Sequence, residues 1–124
     1  MTKKILSIDD DMMLLQLLQK MLSGQYDVHT ADSASTAIHF LNENHVDCIL
    51  LDIEMPNISG FDFLSDIRKI PSYMDVPIII VSGNTGQDFY RQARNSSAAD
   101  VLTKPVKKEV LIETIEKALA ANAQ

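Results

Sequence analysis

Residues 48–52 read Cys48-Ile49-Leu50-Leu51-Asp52. Four apolar residues follow one another without polar alternation and stop on an acid. A strand with one wetted face alternates, whereas a strand covered on both faces does not. The run therefore reads as a central strand with apolar layers on both sides. Behind it, Pro56 and Asn57-Ile58-Ser59-Gly60 make a loop, and Phe61, Phe63, Leu64 and Ile67 carry a helix. The same pattern extends in both directions. Upstream, Ile5-Leu6-Ser7-Ile8 is a short apolar run ending in acids. A helix over residues 12–22 follows, with Leu14, Leu18, Met21 and Leu22 at helical spacing and Gly24 as a stop. Tyr26-Asp27-Val28-His29-Thr30 alternates, as a half-buried or edge strand does. Ser33 caps a helix through Ala37, Ile38 and Leu41 that ends near Asn44.

Downstream, Val76-Pro77-Ile78-Ile79-Ile80-Val81 is the most hydrophobic segment of the chain. The loop Ser82-Gly83-Asn84-Thr85-Gly86 and a weaker helix near residues 87–95 come next. Val101-Leu102-Thr103 is a last short strand, and the closing helix sets Val110, Leu111, Ile115 and Leu119 on one face. Strand and helix thus alternate five times, which implies an α/β fold: a parallel sheet with helices on both faces. The unalternating runs 48–51 and 78–81 belong at its centre.

The 124 residues are 46% hydrophobic and 23% charged, with a formal charge of −6 from 17 acids against 11 bases. That composition predicts a single domain over residues 1–124 with one well-formed core. Cys48 is the only cysteine, which excludes an intrachain disulfide framework and a multi-cysteine zinc site; it reads as a small buried hydrophobe. No apolar run approaches the ~20 residues of a membrane span. The run from Ile5 to Ile8 is too short for the apolar region of a signal peptide. A cytoplasmic protein with no membrane contact is expected. The acidic balance argues against direct nucleic-acid binding, which needs a basic face. His29, His39 and His45 show no metal-ligand spacing.

What ends each strand carries the chemistry. The first ends in Asp9-Asp10-Asp11, the third in Asp52, the fourth in Ser82 and the fifth in Thr103-Lys104; the second offers only Thr30, which suits a peripheral place. In a parallel sheet these ends lie along one edge, where open α/β folds bind ligands. Carboxylates held together repel one another and call for a counter-charge. Mg²⁺ supplies it, taking one or two carboxylates, waters and a phosphate oxygen. A carboxylate is also a nucleophile that forms an aspartyl phosphate. Phosphoryl transfer needs its three equatorial oxygens stabilised, and a metal, a lysine and a serine hydroxyl with a backbone N–H are all candidates here. Singly, each residue has an ordinary explanation as a helix cap or a solvated loop residue. Their joint placement on four strand ends does not.

These residues fall in ordered motifs: Ile8-Asp9-Asp10, Leu51-Asp52-Ile53-Glu54-Met55-Pro56 with Gly60, Val81-Ser82-Gly83, and Leu102-Thr103-Lys104-Pro105. From Lys4 to about Leu119 the chain resembles the response-regulator receiver domain of two-component signalling, in its stand-alone, chemotaxis-regulator-like form. The resemblance implies a (βα)5 flavodoxin-like, doubly wound fold with strand order 2-1-3-4-5. It implies that Asp52 is the phosphoacceptor and that Asp10 binds Mg²⁺ (or Mn²⁺) directly. Asp9 then holds the metal through water or as a supporting partner, and Asp52 and the Glu54 backbone carbonyl supply further ligands. Ser82 resembles the hydroxyl that bonds the phosphoryl group, Lys104 the ammonium that pairs with it, and Lys104-Pro105 the family's cis peptide. Asp11 reads as the cap or first-turn acid of the first helix.

The sequence also departs from the family pattern. Val101 stands three residues before Lys104, where the family carries Tyr or Phe. Ser97-Ala98-Ala99 replaces a glycine turn, and Val106 replaces an aromatic. Switching would then run through Ser82 and movement of the 83–86 loop. The Glu54 side chain, two residues past Asp52, could repel the phosphoryl anion, reach the metal or orient water, and the sequence leaves all three open. Asn84, two past Ser82, is the other position that tunes phosphoryl lifetime in this family.

The implied phosphodonor is a histidine kinase or a histidine phosphotransfer protein, and the downstream effector is unspecified. On the first helix Met12, Met13 and Leu15 exceed what the core stripe needs, and suit either partner docking or extra burial under a loop. Phe89 and Tyr90 are adjacent, so at least one should turn from the core. The fourth helix, fifth strand and fifth helix form the face that receivers use for output or homodimer contacts. No output domain is expected within the chain. The alternative is a receiver-fold interaction module that is never phosphorylated, although such modules lose an acid or the lysine and this sequence keeps them. A metabolite hydrolase acting through an aspartyl phosphate would need a cap domain for which this length leaves no room.

Overall fold

The computed structural model describes residues 2–56 and 58–122. Asn57, expected in the loop after the third strand, lies outside the described residues. Strands β1 (Lys4–Ile8), β2 (Asp27–Ala31), β3 (Cys48–Asp52), β4 (Ile78–Ser82) and β5 (Asp100–Thr103) alternate with helices α1 (Met12–Leu22), α2 (Ala34–Glu43), α3 (Gly60–Arg68), α4 (Gln87–Arg94) and α5 (Lys108–Asn122). Every strand pair is parallel, and the order is β2-β1-β3-β4-β5. All residues of β3 and β4 are buried, so the two unalternating runs are central. Among the described residues no helix is long and apolar enough to cross a membrane.

Neighbouring residues of the central strands feed opposite faces, as the period of a strand requires. Leu6, Ile49, Leu51, Ile78 and Ile80 pack towards Leu41 of α2, Phe63 and Ile67 of α3, and Phe89 of α4. Ile5, Cys48, Leu50, Ile79 and Val81 face the other way, with Leu18 and Leu22 of α1 and Leu111 and Ile115 of α5. Truncating one such Leu or Ile to Ala costs about 2–5 kcal/mol, since transfer and cavity terms add. These two layers hold the strand ends rigidly in place.

Helix starts follow local chemistry. The Asp11 carboxylate accepts from the Met13 and Leu14 N–H groups at 3.1 and 3.2 Å, capping α1. Ser33 caps α2 by accepting from the Thr36 N–H at 3.1 Å. At the start of α3, Gly60 lies so close to the backbone of Ile53 that a Cβ would collide with its carbonyl and Cα. This approach folds the β3–α3 loop back against the residue that follows Asp52.

Two features differ from the sequence expectation. On α1, Leu15 is buried and belongs to the core, while Leu17 is exposed beside Met12 and Met13; Leu14 and Met21 are half-buried. The helix is apolar around most of its circumference, so periodicity alone does not fix its inward face. Between α3 and β4 a 3₁₀ turn, Pro71–Tyr73, buries the Tyr73 ring, whose hydroxyl donates to the Asn44 carbonyl. Arg68 locks this turn. Its Nη1 donates to the Tyr73 and Val76 carbonyls at 2.8 and 2.6 Å, and its Nε and Nη2 reach Oγ and O of Ser97, both at 2.9 Å. That clamp ties the loops leading into β4 and β5 at the N-terminal edge of the sheet.

Candidate functional site

The opposite, C-terminal edge gathers the polar strand ends. Register places Ile8 beside Leu51, Asp52 beside Val81 and Ser82 beside Thr103. Residues that follow these positions therefore meet across adjacent strands. Carboxylate oxygens of Asp9, Asp10 and Asp52 lie within 4.8 Å of one another, with Asp9 and Asp52 buried and Asp10 exposed. Asp9 is 2% exposed and Asp52 3%. The Asp9 Oδ1 accepts from the Asp11 N–H at 2.9 Å, and the Asp52 Oδ1 accepts from the Glu54 N–H at 3.0 Å.

Lys104 faces this acidic group. Its Nζ lies 3.1 Å from the Asp9 Oδ2 and 3.6 Å from the Asp52 Oδ1. The Lys104–Pro105 peptide is cis, and the Lys104 N–H donates to the Ser82 carbonyl at 2.8 Å, which anchors the lysine beside the end of β4. Burial pushes the Asp52 carboxyl up to about 6; the negative charge of Asp9 acts the same way, against the Glu54 N–H and the Lys104 charge. Burial works against the Lys104 charge, but the hydrogen bond to Asp9 and the charges of both acids prevail and raise its pKa above the ordinary lysine value. Three carboxylates against one ammonium leave the cluster net negative. Hard oxygen donors in this arrangement are the set that a small divalent cation takes.

Ser82 is 1% exposed, and its hydroxyl donates to the Glu54 Oε1 at 2.5 Å. The same Oε1 accepts the Gly83 N–H at 3.0 Å, while the Ser82 Oγ accepts the Asn84 N–H at 3.0 Å. The Ser82 hydroxyl, more than any other neighbour, holds the Glu54 carboxyl below its ordinary value; the Gly83 N–H and the Lys104 charge add to this. The sequence raised three roles for the Glu54 side chain, and this contact is none of them. The signal was present in the strand order, because a side chain two residues beyond the end of β3 falls beside the end of β4.

The structure thus brings Asp9, Asp10, Asp52, Glu54, Ser82 and Lys104 to one crevice. Within β5, beside Ile80 of β4, Val101 is half-buried against the core. Phe89 is buried, and Tyr90 is half-buried with its hydroxyl 3.1 Å from the Thr103 Oγ1. Arg68, which sequence reasoning did not single out, stands at the far edge and serves the scaffold.

A family model described as the response regulator receiver domain matches residues 5–116. The two-component response regulator ARR10 of Arabidopsis thaliana is 34% identical over 111 residues, which cover 87% of this chain and 20% of that protein. The transcriptional regulatory protein KdpE of Staphylococcus aureus is 36% identical over 121 residues, covering 94% of this chain and 51% of that one. The chain therefore spans about a fifth to a half of the length of these relatives. Among solved structures, a CheY-like receiver domain protein of Methanospirillum hungatei superposes with a TM-score of 0.90 at 25% identity, covering 99% of this chain and 98% of that one. The Vibrio cholerae chemotaxis protein CheY4 gives 0.89 at 26% identity, with 95% and 99% covered.

Proposed function

This chain belongs to the response-regulator receiver family of two-component signalling, and we propose that Asp52 is its phosphoacceptor. Receivers interact with histidine kinases or phosphotransfer proteins and with effectors, and bind Mg²⁺ through acidic residues. The observation that carries the assignment here is the convergence of buried Asp9, Asp52 and Ser82 with Lys104 at one crevice.

A carboxylate oxygen of Asp52 attacks the phosphorus of a phosphohistidine on the donor. The P–O bond forms as the P–N bond breaks, and the imidazole nitrogen keeps the electron pair and takes up a proton. The Glu54 N–H and Lys104 hold the carboxylate in place for this attack. Lys104 then pairs with one phosphoryl oxygen, and the Ser82 hydroxyl with another. Asp9, Asp10, Asp52 and the Glu54 carbonyl would hold Mg²⁺ (or Mn²⁺), which, when bound, offsets the carboxylate cluster and the charge of the transferred group. Water later attacks the phosphorus of the aspartyl phosphate, which restores the Asp52 carboxylate and releases inorganic phosphate. The chain assists both steps on its own side chain and transforms no separate substrate beyond the donor's phosphoryl group, so its output is a conformational signal.

Exposed Met12, Met13 and Leu17 on α1 flank the acidic rim and suit docking of a donor helix. The face made by α4, β5 and α5 remains for an effector or a second copy of the chain. A cytoplasmic location goes with this reading, and the free, buried Cys48 suits a reducing compartment.

Acetyl phosphate with Mg²⁺ should add about 80 Da, the mass of one HPO₃, mapping to Asp52 and absent in Asp52→Asn. A folded wild-type chain that gains no such adduct would instead be the unphosphorylated interaction module.

A further inference from the structure

We propose that the Glu54 side chain is a resident anion occupying the Ser82 hydroxyl and Gly83 amide that the phosphoryl group needs, so that phosphorylation of Asp52 expels it. The inference rests on the phosphoacceptor reading and adds a positioning residue to it. One oxygen, the Glu54 Oε1, takes both donors, at 2.5 Å from the Ser82 Oγ and 3.0 Å from the Gly83 nitrogen. A serine hydroxyl has one proton and a backbone amide has one, so neither can make a full-strength bond to two anions at once. The other face of the Ser82 oxygen already accepts the Asn84 N–H, which fixes the direction of its proton towards Glu54.

Burial explains why the place is filled. Ser82 is almost wholly inaccessible, and leaving a buried hydroxyl unpaired is costly because water cannot satisfy it. Glu54 satisfies that proton while the rest of its side chain stays exposed. A phosphoryl group on Asp52 presents the same kind of ligand, an anionic oxygen, from the neighbouring strand end. Once it takes the two donors, Glu54 is released into solvent. The β3–α3 loop, which carries Glu54, and the 83–86 loop, which it holds, lose the contact that joins them. This release couples phosphorylation to both loops without a rotating aromatic at position 101, where Val101 stands.

A latch closed about 90% of the time would weaken apparent phosphoryl binding about tenfold. The test is a titration with beryllofluoride and Mg²⁺, followed through the amide resonances of Gly83 and Asn84, on wild type, E54A and E54Q. E54A should bind beryllofluoride about tenfold more tightly than wild type. Its Gly83 amide proton should move upfield before any addition, having lost a carboxylate acceptor. E54Q keeps an acceptor oxygen without the charge, so its affinity should fall between the two. No gain in E54A, or equal gains in E54A and E54Q (the mark of simple charge repulsion), overturns the latch. If wild type also forms the Asp52 adduct with acetyl phosphate, only the latch is lost. If wild type takes neither beryllofluoride nor an adduct, the phosphoacceptor reading fails and the latch falls with it.

Discussion

Lys104 sits closer to Asp9 than to Asp52, with its Nζ at 3.1 Å from the first and 3.6 Å from the second. One ammonium therefore spans two buried carboxylates that would otherwise repel each other. The lysine thus has a structural task in the unmodified chain, besides the phosphoryl pairing proposed for it above.

Removing that ammonium should be costly to the fold. Lys104→Ala leaves Asp9 and Asp52 buried without a cation, and breaking such a pair destabilises. Because the lysine side chain is partly exposed, the expected loss is about 1–3 kcal/mol at pH 7, below the full range for deeply buried pairs. The Lys104 pKa is raised, so its contribution is whole at neutral pH and disappears only above the ordinary lysine range. Millimolar Mg²⁺ should recover part of the loss, because a cation bound to the native acids stabilises the folded state by mass action. Urea unfolding of wild type and variant, each with Mg²⁺ and with EDTA, checks both expectations.

Arg68 should matter for stability and not for chemistry. Its guanidinium makes four hydrogen bonds to the loops before β4 and β5, three of them to backbone carbonyls. Arg68→Ala should lower stability by about 2–4 kcal/mol by leaving those acceptors unpaired. Arg68→Lys should recover little, since an ammonium cannot reproduce the planar fork. Both variants, once folded, should still form the Asp52 adduct at the wild-type rate, as read by mass spectrometry.

Cys48 gives a pH dependence of definite sign. Burial pushes its thiol from 9.0 to about 12. Below pH ~9 the thiol is protonated in both states and its contribution is whole. Between about 9 and about 12 only the unfolded chain releases the proton, so stability falls as pH rises, by up to about 1.4 kcal/mol per unit. Cys48→Ala should flatten that part of the stability curve measured by urea unfolding. The native thiol should also resist alkylation at pH 8 and react fully in urea.

The central place of β3 and β4 was legible in residues 48–52 and 78–82, and the order of elements and the location of the acids in the alternation of apolar runs with helices and in what ends each run. Burial on both faces leaves an unbroken apolar run, and strand ends in a parallel sheet share one edge. These are local patterns, and they survive without knowledge of any neighbour. The inward face of α1 was not legible, because Leu14, Leu15, Leu17 and Leu18 already spread over an arc of about 160° and Met12 and Met13 extend the apolar character beyond it. Packing chose Leu15 and Leu18 and left Leu17 outside. The strand order places Glu54 near the end of β4, but that its carboxylate accepts the Ser82 proton was settled by the fold. Glu54 and Ser82 are 28 residues apart and meet only because β3 and β4 pair in register. Sequence pattern assigns a side chain to a face or an edge. Which donor meets which acceptor depends on distances of a few tenths of an ångström, and only the assembled sheet sets those.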